Sequence, residues 1–136
     1  MAPAGLYRPA VRVGELIFLS GAAPRNPDGS FVTGKVGGDV SFETGREAAR
    51  LVGLQLLSAL QAELGTLDDV VQVVKLLGMV NCAPGFNNTP GVIDGCSALF
   101  IEVFGEAGRG ARSAVGMAEL PFDISVEVEA VVQVRP

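Results

Sequence analysis

At 136 residues the chain has the length of one compact domain and is too short for two good cores. An apolar fraction of 49% against a charged fraction of 18% excludes a disordered polymer, which needs the opposite balance. The net charge of −5 and the scatter of the ten Lys and Arg argue against a broad phosphate-binding face.

Histidine is absent, which removes Ser-His-Asp and Cys-His nucleophile systems and most transition-metal sites. Chemistry in this chain must rest on Arg, Glu, Asp, Tyr, Ser, Cys, backbone groups and water. No apolar run approaches the ~20 residues of a membrane span. The opening MAPAGLYRPA lacks the basic-then-apolar layout of an export signal, and two cysteines suit a reducing compartment. The expectation is a single cytoplasmic domain over residues 1–136, with no nucleic-acid and no membrane partner.

Residues 10–21, AVRVGELIFLSG, predict two short strands joined by a tight turn at Gly14-Glu15. Six Pro and Gly residues within 22–39 predict a loop. Ser41 then reads as a helix N-cap with Glu43 in the first turn. Ala49, Val52, Leu56, Leu60 (or Ala59) and Leu64 follow at helical spacing, and Gly65 closes the helix. Residues 69–83 are β-branched and apolar and predict a long strand. APGFNNTPG predicts a loop, and a second helix is expected over about 91–105, grouping Ile93, Cys96, Phe100 and Val103 (or Phe104). Strands over 111–118 and 124–134 complete the order β-β-α-β-α-β-β, an α+β sandwich with two helices on one face of a mixed sheet.

In the third strand both parities are apolar: Val70, Val74, Leu76 and Val80, but also Val71, Val73, Leu77 and Met79. Two helices cover only one face, so the other is expected to bury itself against further copies of the chain.

Among residues that could carry chemistry, Arg112 stands in GRGARSAVGMAEL beside the small Ser113, Ala114 and Gly116. Stiff backbone and small neighbours leave room for a carboxylate, which arginine grips bidentately. A structural ion pair at the rim is the other reading. Glu127 lies fifteen residues on, and a hairpin turning near Glu119–Leu120 would set it opposite Arg112, where it could orient water. It could equally belong to a solvated strand face. Tyr7, the sole tyrosine, either closes a pocket or pins the N-terminal arm. Cys82 and Cys96 have no histidine to activate them and read as packing thiols. GKVGGD and GEAGRG do not match a phosphate-binding loop, and the acidic residues show no metal-ligand spacing.

GRGARSAVGMAELPFDISVEVEAVV resembles the signature of the RidA (YjgF-like) family of reactive-intermediate imine deaminases. GELIFLSGAAP, LDDVVQVVKLLGMVN and FIEVFGE are similar to its first strand, middle strand and second helix. The resemblance runs from Tyr7 to Val134. It implies a chorismate-mutase-like α+β fold, a homotrimer with sites in the clefts between subunits, and no cofactor and no metal. The implied activity is hydrolysis of small carboxylate-bearing enamines and imines, of the 2-aminoacrylate type, to a 2-oxo acid and ammonia. By the same resemblance Arg112 would clamp the carboxylate and Glu127 would position the water. Tyr7, Ser20 and Gly21 would line the pocket, with Ser97 and backbone groups at Ala114 also in contact. The chain departs from the family pattern at Ala114, where cysteine is common, at Ala22 in place of glutamine, and at Ser97 in place of asparagine. The loop before the second helix is also longer than typical. Two other functions stand against deamination: a non-catalytic binder of small organic acids in the same cleft, and a nuclease or translation inhibitor, against which the acidic balance argues.

Overall fold

A computed structural model describes residues 5–136; the first four residues of the stretch read above for an export signal lie outside the described residues. The chain folds as β1 (Ala10–Val13), β2 (Leu16–Ala22), α1 (Phe42–Leu64), β3 (Val70–Asn81), α2 (Thr89–Phe104), β4 (Ala111–Met117) and β5 (Val126–Val134). The strands form one five-stranded sheet in the order β1-β2-β5-β3-β4. Only the β3–β4 pair is parallel; the others are antiparallel. Both helices pack on the same face, α1 over β2 and β5, α2 over β3 and β4. The α+β sandwich expected from the sequence is therefore the observed architecture.

Local signals explain the most regular elements. Gly14 takes φ +60° and joins β1 to β2 through the expected two-residue turn. The Ser41 hydroxyl oxygen accepts the Thr44 N–H at 3.1 Å, starting α1. Gly65, at φ +80°, ends it by donating its N–H to the Gln61 carbonyl at 2.8 Å. Val52, Leu56 and Leu60 are fully buried, as their spacing requires. Glycines set the distance between the helices. A Cβ on Gly53 would meet Leu99, and one on Gly95 would collide with the carbonyl oxygen of Arg46.

Two expectations are corrected and one open alternative is resolved. Helix α2 begins at Thr89, two residues before the expected start, because the Asn88 side chain caps it and Pro90 is tolerated in a first turn. Of the alternatives Val103 and Phe104, it is Phe104 that packs inward, its ring 6.4 Å from that of Phe100. The second correction matters more: β4 and β5 form no hairpin. Strand β5 alternates buried Val126, Val128, Ala130, Val132 and Val134, and that apolar row takes a central place between β2 and β3. Strand β4 is left at the edge, on the far side of β3.

The two-sided character of β3 has a local cause. Register irregularities at Val70/Gln72 and Val73/Lys75 switch the strand's parity, so Val73, Leu76 and Val80 all face the helices. Leu77 and Met79 face the opposite side. In register with them, and with Phe18 and Val131, this uncovered face also carries Val11 and Val115. Val11, Phe18 and Val115 are exposed. No helix among the described residues is long and apolar enough to cross a membrane.

Candidate functional site

Strand alternation puts Arg112 and Glu127 on opposite faces of the sheet. Arg112 pairs in register with the core residue Leu76, so its side chain leaves β4 toward α2. There Nη1 donates to Asp94 Oδ1 at 2.7 Å and to Ser97 Oγ at 3.1 Å. Asp94 and Ser97 are three apart and share one side of the helix. Nε and Nη2 make no hydrogen bond among the described residues, and the side chain is 24% exposed. The ion-pair reading of Arg112 thus describes one edge of the guanidinium. The other edge, the one suited to a bidentate anion, stays open.

Glu127 pairs in register with Met79 and faces the uncovered side of β5. The β2 ladder is interrupted between Leu19 and Ala22, and the interruption contains Ser20 and Gly21. A Cβ at residue 21 would strike the Glu127 carboxylate, so glycine lets that side chain lie directly over β2. Burial pushes the Glu127 carboxyl above the ordinary carboxylate range, and the neighbouring charge of Glu129 pushes the same way.

Tyr7, Ser20, Gly21 and Glu127 line one cleft of about 620 Å³, together with Phe31, Pro121, Phe122, Ile124 and Glu129. A second cleft of about 490 Å³ lies on the α1 side of Tyr7, Ser20 and Gly21. Ser20 holds the N-terminal arm in place, its Oγ donating to the Arg8 carbonyl at 2.6 Å and its N–H to that of Pro9 at 2.9 Å. Tyr7 is left to line the cleft.

The structure therefore brings four of the expected residues together and sets the others apart. Arg112 and Ser97 meet on the helical side of β4. Ala114 follows on the same strand face, half-buried, its carbonyl accepting from Thr89 Oγ1 at 3.0 Å. The expected hairpin that would have set Glu127 opposite Arg112 is replaced by an intervening β3.

The family model described as "YjgF/chorismate_mutase-like, putative endoribonuclease" matches residues 1–130. The chain belongs to this family. Protein TCP17 of Trypanosoma cruzi is 45% identical over 135 residues, covering 98% of this chain and 84% of that protein. A 2-iminobutanoate/2-iminopropanoate deaminase of Dermatophagoides farinae is 30% identical over 134 residues, covering 98% and 89% respectively. Among solved structures, Atu1372 of Agrobacterium tumefaciens, described as of unknown function, matches with a TM-score of 0.92 at 42% identity. The match covers 95% of this chain and 82% of that one.

Within the YjgF-like fold, sequence reasoning missed Asp94, whose signal was its place three residues before Ser97 on a predicted helix. It also missed Phe31 and Phe122, loop aromatics with no periodicity to flag them. Both thiols behave as packing groups: burial pushes Cys96 up to about 12 and raises Cys82 as well. No cluster of three His, Cys, Asp or Glu suited to a metal occurs among the described residues.

Proposed function

We propose that the chain assembles as a homotrimer and hydrolyses small carboxylate-bearing imines in the clefts between subunits. The observation that carries this reading is the division of the site. Arg112 with an open guanidinium edge and Glu127 in an open cleft cannot meet within one chain, whereas a second copy laid on the uncovered apolar face could supply the missing half. The relative named as an imine deaminase supports the choice of reaction.

In this mechanism the Nε and Nη2 edge of Arg112 holds the substrate carboxylate, with Asp94 and Ser97 keeping Nη1 in place. Glu127 of the adjoining copy accepts a proton from water as the water oxygen attacks the imine carbon. Returned to the imine nitrogen, that proton completes the carbinolamine. Glu127 then takes the hydroxyl proton and passes it to the amino nitrogen as the C–N bond breaks, so ammonia leaves and the carbonyl of a 2-oxo acid forms. Positioning and desolvation suffice, because the imine carbon is already electrophilic. A carboxyl raised toward neutrality is a better base than an ordinary one.

The test generates 2-iminopropanoate with an amino-acid oxidase and follows 2-oxo acid formation. Wild type should accelerate it, and Arg112→Ala or Glu127→Gln should lose on the order of 10²-fold or more. Equal rates with and without protein would end this reading. The Asp94–Arg112 pair favours one alternative, since a compensated cation can hold an organic acid without turning it over. Binding of a 2-oxo acid with no acceleration would be its signature.

A further inference from the structure

Between β4 and β5 the chain turns through residues 121–123, where two successive non-glycine residues take left-handed backbone, Phe122 at φ 56° and Asp123 at φ 59°. This region is unfavourable for a bulky side chain, so the surroundings must hold it there. The residues flanking Phe122 are tied down from several directions. Asn81, fully buried, donates through Nδ2 to Asp123 Oδ1 at 2.9 Å and to the Ile124 carbonyl at 3.1 Å. Gly34 N–H donates to the Asp123 carbonyl at 2.8 Å, and Asp123 N–H to that of Leu120 at 3.0 Å. Lys35 Nζ fixes Asn81 in turn by donating to its Oδ1 at 2.8 Å.

What this scaffold presents is a phenyl ring that is 85% exposed and lines the Glu127 cleft. Tyr7 and Phe31 line the same cleft and are also exposed, and Pro121 and Ile124 line it as well. Strained backbone that keeps an aromatic ring in water is a cost without return unless something apolar meets the ring. A three-carbon imino acid held at its carboxylate and imine carbon would not reach three rings.

We infer that Phe122, with Tyr7 and Phe31, forms an aromatic wall that selects substrates with a large apolar or aromatic side chain over two- and three-carbon imino acids. The inference rests on the proposed deaminase site for the placement of the acid group. The ring faces act on the substrate's side chain through stacked or edge-on contacts. Phe122 is thus a specificity residue.

Titration calorimetry with two stable 2-oxo acids tests this without turnover: 2-oxo-3-phenylpropanoate and 2-oxopropanoate. Wild type should bind the phenyl compound at least about tenfold more tightly, the scale expected of added apolar groups in a fitted pocket. Phe122→Ala should lower that ratio about tenfold and Phe122→Leu should fall between, because a ratio is insensitive to a general loss of folded protein. Equal binding of the two acids, no binding of either, or a ratio unmoved in Phe122→Ala would overturn the inference. So would a change of assembly mass in Phe122→Ala, which would make the ring a subunit contact. Selective binding without turnover of any imine would remove the deaminase reading and leave this one standing, and turnover without selectivity would do the reverse.

Discussion

The two halves of the candidate site solve different physical problems. On the helical side of β4, Arg112 is a charge held in place by another charge: Asp94 takes one edge of the guanidinium and leaves the other open. On the far side of β5, Glu127 is a charge held in place by packing, half-buried over Gly21 with Glu129 nearby. The first arrangement keeps its group oriented. The second makes ionisation harder, by burial and by the neighbouring charge of Glu129. A carboxylate clamp needs the former and a base needs the latter.

The most direct way to break this comparison is to mix the halves. If each site takes Arg112 from one copy and Glu127 from another, Arg112→Ala and Glu127→Gln chains are both inactive alone. Refolded together in equal amounts they should recover about a quarter of wild-type imine hydrolysis, since random association leaves that share of clefts intact. No recovery from a mixture shown by native mass spectrometry to contain mixed assemblies would place both groups' roles elsewhere.

A smaller effect should follow from Asp94. Asp94→Asn keeps an oxygen for Nη1 but removes the competing negative charge, so a 2-oxo acid should bind a few-fold more tightly. The gain should shrink as salt rises, because Asp94 is about half exposed. Weaker binding at every ionic strength would mean that Asp94 acts mainly by orienting the guanidinium.

The smallest effect concerns pH and Glu127. Its pKa is raised on folding, so between the unfolded and folded values the native state holds more protons than the unfolded one. The favourable contribution is present in acid and is lost as pH rises through the folded value. Glu127→Gln should therefore melt slightly higher than wild type near neutrality, with the difference vanishing in acid. In wild type the acid limb of the rate profile should lie above the ordinary Glu value of ~4.3. A Glu127→Gln melting difference that is constant with pH would remove the argument from burial.

Much of the fold was legible because its signals are local. Ser41, the Val52-Leu56-Leu60 row and Gly65 each act within a few residues, and α1 runs where they indicate. The start of α2 lies inside a stretch that reads as loop, because Pro90 is a good first-turn residue once Asn88 caps the helix. In β3 strict alternation breaks, since two register shifts invisible in the pattern carry Val73 and Leu76 to the same face. Of the site, the residue types were legible and their grouping was not. Tyr7, Ser20, Gly21 and Glu127 come from three separate segments and meet only across the β2–β5 pairing.

By itself the sequence determined the inventory: no histidine, an arginine among small residues, an acidic final strand, and the caps and periodicities that specify most of the elements. Those properties follow from chemistry within one turn of helix or one stretch of strand. Only the tertiary structure decided that β5 enters the middle of the sheet, that Arg112 and Glu127 therefore look away from each other, and that Phe122 is held out toward the cleft. Strand order is chosen by which apolar row gains most from burial on both edges, and that competition involves the whole chain at once.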